Sequence, residues 1–530
     1  MPTDGISYQE SGYFTNLILD YLNEEPVLHS FYNRFPTLEN FEKQIFEKKL
    51  NYNGKANREI LVAVLQKQYE GIQISSLTQQ HIGSLSLSNT FTVTTGHQLN
   101  LFTGPLYFLY KIISTINLTK ELKTKYPSFN FVPLYWMATE DHDFEEINYF
   151  NFKGKKIRWN ADNSGPVGRK STTGLDRIFK IFESELGLGK NADVIKKLFQ
   201  DAYLNHKNLA DATRYLANSL FGEQGLVILD ADNKDLKQEF IPYIKKELLD
   251  QNANQFVLET TKKLTDYTIQ VNPRAINLFY IENEIRERIL FENGIYKVNN
   301  TAITFTESEI LDLVDNSPEK FSPNVIMRPL YQEVILPNLC YIGGGGEIAY
   351  WLQLKAYFDN SNITFPILLI RNSVLLVTEK QAKKASKLDL TWKDLFSSKQ
   401  VLENREVKKL TEFPIDFSIQ KAFLQKHFED LQQIALQTDP SFIGAVNAQE
   451  KKQLKGLENL EKRLLVAQKR KHQEALNRIG DLQNELFPNG NLQERIVNFS
   501  EFYIENGIGF LGTLFETLQP LEKNFNIIIL

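Results

Sequence analysis

The sequence contains almost no cysteine, since Cys340 is the single one among 530 residues. One thiol excludes an internal disulfide framework and any zinc site built from several thiolates. A chain this poor in cysteine suits a reducing compartment, and we expect a cytoplasmic protein. Cys340 follows an apolar run, 334–339, and no neighbouring base or helix start would lower the pKa of its thiol. The sequence therefore predicts a buried structural thiol.

Long apolar runs and a strong excess of one charge are also missing. No window approaches the 18 or more apolar residues of a membrane-spanning helix, and the opening segment MPTDGISYQE lacks a basic stretch followed by an apolar one. The formal net charge of -5 creates no field that would attract nucleic acid or an anionic membrane. We therefore expect small-molecule substrates, with neither nucleic acid nor membrane as a partner.

Aromatic residues, by contrast, are abundant, with 37 Phe and 22 Tyr, and hydrophobic residues make up 42% of the chain. This composition favours packed cores over disorder. A chain of 530 residues is too long for one compact core and predicts several domains.

Four short apolar runs predict a parallel sheet, because continuous apolar strands are typical of sheets covered on both faces. A helix from about 105 to 124 follows the first run, so strand and helix alternate. This order predicts an α/β fold with a doubly wound sheet. The four runs are FTVTT at 91–95, FVPLYWMA at 131–138, GLVILD at 225–230 and PILLIR at 366–371.

Composition also predicts how the chain is divided. Two stretches between the core strands are more polar and are interpreted as helical or hairpin-like insertions. From about 383 onwards Gly and Pro become scarce while Lys, Glu, Gln and Leu are dense, which indicates a separate helical region. The predicted segments are core 1–151, first insertion 152–222, core 223–282, second insertion 283–322, core 323–382, helical coiled-coil arm 383–500, and a C-terminal segment 501–530 that returns to the core.

Two apolar stripes predict an antiparallel helical hairpin in the arm. The longer stripe repeats at gaps of three and four residues with one stutter around Lys471, as in a coiled coil. A charged seam of this kind normally has a partner helix, so we expect self-association through the arm. The longer stripe is Leu457, Leu460, Leu464, Ala467, Lys471, Ala475, Ile479, Leu482 and Leu486, and the shorter one is Ile419, Phe423, Phe428, Leu431 and Ala435.

The first candidate site follows the first predicted strand. Gly96, His97 and Gln98, with Thr103 and Gly104 further on, separate that strand from its helix. Backbone N–H groups and the helix dipole bind phosphate at such places in α/β folds. His97 is either a residue that stabilises charge on a nucleotide or a loop histidine at a tight turn, and the spacing alone leaves both open.

The second candidate site is an acidic cluster after the second predicted strand. Three carboxylates and an imidazole in four residues are costly to hold together unless they bind a metal, an amine or arginine. Divalent metal ligation would need further ligands, such as Asp230 or His97, and direct recognition of substrate hydroxyl or amino groups is the alternative. The candidates are Glu140, Asp141, His142, Asp143 and Asn148.

The third candidate site is a run of glycines, 343–346, before a predicted helix. Gly344 and Gly345 would let the backbone approach a ligand, although a flexible hinge is an alternative. The loop lacks the Lys and Ser or Thr of a P-loop, and Glu347 in the first helical turn suits an amine better than a phosphate. Arg328 and Gln332 lie shortly upstream, where a guanidinium would hold a carboxylate.

Taken together, four segments resemble the bacillithiol biosynthesis cysteine-adding family, in the same order over nearly the whole chain. They are TTGHQLNLFTGPLYFLYKI, VPLYWMATEDHDFEEIN, FSPNVIMRPLYQEVILPNLCYIGGGGEIAYW and NLQER. The resemblance implies a Rossmann-like nucleotide-binding core related to class I synthetases and pantothenate synthetase. It also implies two connecting insertions and an α-helical coiled-coil domain near the C-terminus that mediates a homodimer.

The resemblance further implies a ligase that joins cysteine to glucosaminyl malate in the last step of bacillithiol biosynthesis. An amide between a carboxylate and an amine needs an activated acyl group, so ATP or ADP, with Mg²⁺, is expected as cofactor. By this resemblance His97, Gln98 and Thr103 lie near the phosphates, and Asp141 or Asp143 lies near the sugar amine. Fixed donors then stabilise the charge that develops on the leaving group.

Two other functions compete with the ligase. A metal-dependent hydrolase or nucleotidyltransferase would use Asp141, His142 and Asp143 to bind a divalent ion. A non-enzymatic dimeric scaffold would use the helical arm and would leave the acidic cluster unexplained.

Overall fold

The computed structural model of the protein describes residues 3–52, 55–161 and 164–530. Its centre is a five-stranded parallel sheet whose spatial order is fifth, fourth, first, second and third core strand. The winding direction reverses between the first and the fourth strand, as in dinucleotide-binding folds. In chain order, the core strands are Thr90–His97, Asn130–Met137, Val227–Asp230, Asn338–Gly343 and Ile367–Ile370.

Four of the core strands lie within two residues of the predicted ones, and the α/β fold class is confirmed. The fourth core strand, Asn338–Gly343, was not predicted. It pairs in parallel with both of its neighbours and shifts register between Asn338 and Cys340. Cys340 lies in this strand and is fully buried, as expected, and burial raises the pKa of its thiol further.

Helices cover both faces of the sheet, which explains why its strands are apolar throughout. The crossover between the first two core strands is helix Tyr107–Lys125, and most of its residues up to Leu122 are buried. In the described part of the chain, no helix is both long and apolar enough to cross a membrane. Other helices of the core are Tyr8–Ser11, Asn16–Leu22, Leu38–Asn51, Lys55–Gln68, Ser76–Ser84, Phe144–Ile147, Lys234–Gln238, Ile241–Asp250, Asn252–Thr261, Met327–Ile335, Gly345–Leu352 and Lys355–Asn360.

The first insertion begins with a β-hairpin and continues with three helices. The hairpin pairs Tyr149–Phe152 with Lys155–Arg158, so the expected boundary at 152 falls inside its first strand. Pairing moves the boundary back to Tyr149, because the two strands of a hairpin form one unit. The helices that follow are Leu175–Leu186, Lys190–Tyr203 and Leu209–Phe221.

The second insertion is a five-stranded antiparallel sheet with one helix, Glu307–Asn316. The expected boundary at 283 separates strand Leu278–Glu282 from this sheet, although it pairs with two of its members. The inserted unit therefore runs from 278 to 323. Across the sheet, the strands are Thr304–Phe305, Ile295–Val298, Ile285–Glu292, Leu278–Glu282 and Phe321–Pro323.

The C-terminal segment packs against the core. Strand Asn524–Ile529 lies between Thr3–Ser7 and Ser373–Val377 in a three-stranded sheet. Helices Ser500–Asn506 and Gly509–Thr517 precede it, and the Asn117 side chain donates to the carbonyl groups that end the second helix. The helical region begins with Glu379–Lys387, so the expected boundary at 383 falls within a helix.

The arm contains the predicted antiparallel hairpin, formed by helices Ser418–Ala435 and Pro440–Lys471. Lys421 pairs with Glu461 at 2.6 Å, and Gln432 donates to Glu450 at 3.2 Å. Later residues of the first helix thus contact earlier residues of the second, so the two helices are antiparallel. The predicted stutter coincides with a break at His472, after which the chain continues as helix Gln473–Leu486. The remaining helices of this region are Trp392–Phe396 and Lys399–Leu410.

Candidate active site

A cleft of about 610 Å³ opens at the carboxyl ends of the first, second and fourth core strands. This is the edge at which open α/β sheets bind ligands, at the point where the winding direction reverses. Positively charged side chains, negatively charged side chains and several aromatic rings line the cleft. Its lining includes Gly96, His97, Gln98, Tyr107, Lys111, Trp136, Glu140, Asp141, His142, Asp143, Arg274, Phe279, Arg286, Arg328, Tyr341, Glu347 and Tyr350.

His97 ends the first core strand and is held by its surroundings as a neutral ring. Its Nδ1 lies 2.7 Å from the carbonyl oxygen of Gln98, so Nδ1 carries the proton and donates. The ring packs against Tyr107 and Phe108 at centroid distances of 5.2 and 4.9 Å. Burial, together with the nearby charge of Lys111, lowers the pKa of His97 to about 3. His97 is therefore an uncharged acceptor through Nε2, which has no hydrogen-bond partner among the described residues.

Lys111 and Glu347 form an ion pair beside His97. The Lys111 ammonium lies 2.6 Å from Glu347 Oε2 and donates to the Gly96 carbonyl at 2.5 Å. Glu347 also accepts from the Tyr341 hydroxyl at 2.6 Å and from the Gly344 backbone N–H at 2.9 Å. Burial opposes its ionisation, yet Lys111 and these donors hold the pKa of Glu347 below its ordinary value. Three donors fix this carboxylate against the loop, and its side chain is still 27% exposed at the cleft, so amine binding by Glu347 stays a prediction.

The acidic cluster is held around Asp141. Gln98 donates to one oxygen of the Asp141 carboxylate at 3.0 Å, and the His142 backbone N–H donates to the other at 2.8 Å. The Arg286 guanidinium lies 3.8 Å from the same carboxylate. Burial opposes ionisation, but the adjacent His142 side chain, the charge of Arg286 and the donors Gln98 and His142 N–H hold the pKa of Asp141 well below its ordinary value. Asp141 is therefore a fixed anion, whereas Asp143 is exposed at the start of a short helix.

Glu140 is engaged in a buried charge network beside the cleft. It pairs with Lys237, whose side chain is 1% exposed and also lies 3.7 Å from Asp232. Asp232 in turn accepts two hydrogen bonds from Arg169. Burial raises the pKa of Glu140, and Lys237 opposes that shift. The network supports the ends of the second and third core strands, and Glu140 is occupied by it.

Asp230, the suggested additional metal ligand, belongs to this same network. Its carboxylate accepts from the Thr139 hydroxyl and lies 3.9 Å from the Arg214 guanidinium. Asp230 is absent from the lining of the cleft, unlike the acidic cluster. It is therefore not placed to complete a metal site with Asp141.

Six of the candidate residues lie outside the cleft lining. Thr103 and Gly104 form a turn with positive φ, and Asn498 binds the carbonyl groups of Phe102 and Gly104. Both residues thus shape this turn, and neither lines the cleft. The others behave similarly, because each supports the backbone or a neighbouring side chain. They are Asn148, whose backbone carbonyl accepts from the Trp159 backbone N–H, Gln332, which accepts from Arg328 at 3.1 Å, and the loop residues Gly344 and Gly345.

Arg328 lies in the cleft as expected. One guanidinium nitrogen donates to Gln332 at 3.1 Å and another lies 3.3 Å from the Tyr350 hydroxyl. The guanidinium also stands over the rings of Trp136 and Tyr341, at 5.9 and 5.6 Å. Arg328 is thus a fixed cation on an aromatic wall.

Two important residues were missed by the sequence analysis. Lys111 lies within the apolar helix sequence LYKII, and a lysine there signals a buried charge that finds a partner. Arg286 belongs to the second insertion, and nothing in its sequence distinguishes it from the nearby Arg288. Its place in the cleft arises from the packing of the inserted sheet against the core.

The three residues Asp141, His142 and Asp143 have ligand atoms within 4.8 Å of one another, as a metal site requires. Arg286, however, lies 2.5 Å from His142 Nδ1 and close to Asp141. A fixed positive charge at two of the three donors opposes a second cation. The donor set therefore fits a resident divalent ion poorly and suits substrate recognition better.

Comparisons with known proteins agree with this architecture. Residues 1–372 match the family model described as bacillithiol biosynthesis BshC, N-terminal Rossmann-like domain, and residues 374–530 match its C-terminal coiled-coil domain. Three similar proteins are each provisionally named cysteine ligase BshC. They come from Flavobacterium johnsoniae (65% identical, covering 100% of both chains), Flavobacterium psychrophilum (64%, 100% of this chain and 99% of the relative) and Christiangramia forsetii (56%, 100% and 99%). The chain therefore belongs to the BshC family of bacillithiol biosynthesis.

Proposed function

We propose that this chain joins the carboxyl group of cysteine to the amino group of glucosaminyl malate and so forms an amide. The observation that carries the proposal is the cleft at the reversal of the sheet, because it presents fixed charges of both signs. The two substrates together carry carboxylates and amines, and such groups need cations and anions in one place. Family membership supports the same reaction, and we place it in the cytoplasm.

The cationic side of the cleft would bind the carboxylates and phosphates. Arg328 is fixed on its aromatic wall, while Arg274 is exposed at the cleft and its guanidinium makes no hydrogen bond or ion pair within the described residues. A guanidinium with no partner is suited to bidentate binding of a carboxylate or phosphate. Arg274 is therefore our first choice as an anchor for an anionic group.

The anionic side would bind the amines. Asp141 is held ionised by its donors, and Asp143 is exposed beside it. In amide formation the amine nitrogen attacks the carbonyl carbon, the bond from that carbon to its leaving oxygen breaks, and the amine proton passes to water. A bound ammonium must lose its proton before it attacks, and carboxylates hold it in place until then.

We propose further that ATP, with Mg²⁺, supplies the leaving group as an adenylate or an acyl phosphate. His97 borders the cleft as a neutral acceptor, and Gln98 is engaged with Asp141. Thr103 lies outside the cleft lining, so it has no part in this proposal. The role assigned to His97 is an uncharged hydrogen-bond partner for a bound group.

We propose that two copies associate through the arm. On helix Ser418–Ala435, one face packs in the hairpin through Leu424, Phe428, Leu431 and Ala435. Ile419, Phe423 and Ile434 lie beside that face, on another side of the helix, and are 67%, 73% and 57% exposed. An apolar face of this kind on a charged helix supports burial against a second copy.

The experiment that tests the ligase is product detection by mass spectrometry. Purified protein is incubated with cysteine, glucosaminyl malate and Mg-ATP, and each component is omitted in turn. We expect the amide product only with all components, and its loss in the His97→Ala variant. The absence of product from the wild-type protein under every combination would refute the proposal.

The same preparations test the metal-dependent alternative. A hydrolase or nucleotidyltransferase built on Asp141, His142 and Asp143 would retain zinc or manganese through purification. We expect no stoichiometric zinc or manganese by elemental analysis, because Arg286 already occupies this site. One equivalent of either metal, lost in the Asp141→Asn variant, would favour the alternative.

A further inference from the structure

Arg286 is fixed on several sides next to His142. It comes from strand Ile285–Glu292 of the second insertion, and its side chain is 8% exposed. Its Nε donates to the Ser322 hydroxyl at 3.2 Å, and its guanidinium lies 4.1 Å from the centre of the Phe279 ring. Its Nη1 lies 2.5 Å from His142 Nδ1. The inserted sheet thus places a rigid cation against one nitrogen of this histidine.

This contact determines which nitrogen of His142 carries the proton. A guanidinium has N–H donors and no acceptor, and it stays charged at every pH at which proteins are folded. His142 Nδ1 must therefore accept, with its lone pair directed at Arg286. In the neutral ring the single proton is then on Nε2.

Nε2 is the nitrogen of His142 that is left for a ligand. It makes no hydrogen bond within the described residues, and the side chain is 41% exposed and lines the cleft. Three charged groups lie near the ring. They are Arg286, the Asp141 carboxylate, which at 3.7 Å from Nδ1 is beyond hydrogen-bond distance, and the Asp143 carboxylate, which lies within 4.8 Å of a ring nitrogen. Phe279 packs against the ring at 5.4 Å and limits its rotation.

We propose that Arg286 is a positioning residue that makes His142 a hydrogen-bond donor through Nε2, rather than a general base. This inference rests on the proposed amide formation and assigns His142 its part in it. When the amine attacks, the carbonyl oxygen gains an electron pair, and Nε2–H donates to that oxygen. His142 keeps its proton throughout, and the charge returns to the carbonyl as the leaving group departs. Donors fixed before the reaction are an effective way to stabilise such an oxyanion.

The protonated ring nitrogen of His142 can be identified without an activity assay. In protein labelled with ¹⁵N-histidine, long-range ¹H–¹⁵N spectra show which ring nitrogen is protonated. His81 and His97 are internal controls, because their Nδ1 atoms lie 2.6 and 2.7 Å from carbonyl oxygens and must donate. We expect Nδ1–H for these two residues and Nε2–H for His142, with the His142→Gln variant assigning its signals. A protonated Nδ1 on His142 in the wild-type protein would overturn the proposal.

Substitution of Arg286 tests whether this residue sets the tautomer of His142. In Arg286→Met we expect the His142 signals to move toward a mixture of both tautomers, while Arg286→Lys, which still donates, keeps Nε2–H. The signals of His81 and His97 should not change in either variant, which also shows that the fold is intact. An unchanged His142 tautomer in Arg286→Met would show that Arg286 does not set it.

Kinetics separate a donor from a base. The amide of His142→Gln retains an N–H donor, whereas His142→Phe has none. We expect kcat of the Gln variant to exceed that of the Phe variant by at least about tenfold, since one oxyanion donor contributes roughly that much or more. Equal losses in both variants would overturn the donor role. A wild-type protein that makes no product would instead refute the proposed function, and the tautomer measurement would still stand.

Discussion

His97 and His142 face the same cleft with opposite hydrogen-bonding roles. The Nδ1 of His97 donates to a carbonyl oxygen, whereas the Nδ1 of His142 accepts from Arg286. The remaining ring nitrogen therefore differs: Nε2 of His97 is a buried acceptor, whereas Nε2 of His142 is the proposed donor to the cleft. Their immediate neighbours produce this difference, and the identity of the residue alone does not.

The neutral state of His97 predicts how stability depends on pH. The unfolded chain binds a proton at this residue below about pH 6.5, whereas the folded protein binds it only near pH 3. The contribution of neutral His97 to the free energy of unfolding is therefore present in full well above pH 6.5, and it is lost progressively as the pH falls toward 3. Between pH 6.5 and 5.0 the wild-type protein should lose about 1.6 kcal/mol more free energy of unfolding than His97→Gln, measured in urea.

His427 provides the control for this prediction, since it is exposed on the arm. We expect His427→Gln to show the same pH dependence as the wild-type protein. Equal pH dependence of wild type and His97→Gln would show that His97 is not held neutral by the fold.

The sequence predicted the site residues that follow directly after a strand, and missed those that packing brings in. Gly96, His97, Gln98 and the cluster from Glu140 to Asp143 were predictable, because strand ends meet at one edge of the sheet. Arg286 comes from a separate domain, and its approach to His142 depends on how the inserted sheet docks. The sequence also could not show that Glu347 is satisfied by Lys111, Tyr341 and Gly344.

At the scale of elements, the first helix of the arm has two apolar faces, which the sequence analysis had combined into one stripe. Phe428, Leu431 and Ala435 pack inside the hairpin, whereas Ile419 and Phe423 are exposed. The gap of five residues between Phe423 and Phe428 departs from the spacing of three and four that keeps residues on one helix face, and the change of face occurs there. The stripe therefore predicted the hairpin correctly, but it did not reveal the separate exposed face that contains Ile419 and Phe423.

The exposed face predicts a variant that separates association from folding. If two copies associate through this face as proposed, replacing both Ile419 and Phe423 with Glu should give a monomer, because it places four charges in the interface of the two copies. The molar mass in solution, measured by light scattering after size exclusion, tests this.

Glu458 and Lys462 supply the control, because both are exposed on the other helix of the arm and Glu458→Gln with Lys462→Gln changes charge without touching this face. The control should keep the wild-type molar mass. A wild-type protein that is a monomer, or a charged variant that is still a dimer, would contradict association through this face.

The regular elements of the core were predictable because their residues are apolar at the right lengths. The fourth core strand was missed because Pro337 precedes it, Asn338 begins it and glycines follow it, and these residues are signals of a turn. Asn338 is instead buried in the sheet, where its side chain binds Glu333 and two threonine hydroxyls. Buried hydrogen bonds of this kind are formed by tertiary structure, and a local pattern does not reveal them.

At the scale of the whole molecule, a buried ion pair joins the C-terminal region to the core. Arg371, which follows the fifth core strand, donates to both oxygens of Glu494 at 3.0 and 2.6 Å. Both side chains are at most 5% exposed. Arg371 also lies 5.2 Å from the ring of Tyr107, which packs against His97. The NLQER segment thus supports the wall of the cleft from the other side.

The buried pair of Arg371 and Glu494 predicts that a substitution of one side chain lowers the stability of the protein strongly. Glu494→Gln keeps the shape of the side chain but leaves Arg371 buried without its counter-charge, so the free energy of unfolding should fall by about 3 kcal/mol. Urea unfolding followed by tryptophan fluorescence measures it.

Lys393 and Glu10 form the matched control, since this pair is exposed, with side chains 63% and 42% accessible. Lys393→Gln should leave the unfolding midpoint close to that of the wild-type protein, because solvent screens exposed pairs. A midpoint for Glu494→Gln equal to that of this control would show that the buried pair does not hold the two regions together.

The most direct test of the proposed ligase follows oxygen atoms from cysteine. Cysteine labelled with ¹⁸O at both carboxylate oxygens is incubated with glucosaminyl malate, Mg-ATP and the protein. The masses of all products are then measured by mass spectrometry. We predict an amide product that keeps one ¹⁸O and a second ¹⁸O in AMP or phosphate, because activation transfers one carboxylate oxygen to the leaving group. No amide, or an amide formed without label in AMP or phosphate, would contradict ligation through an ATP-activated carboxylate.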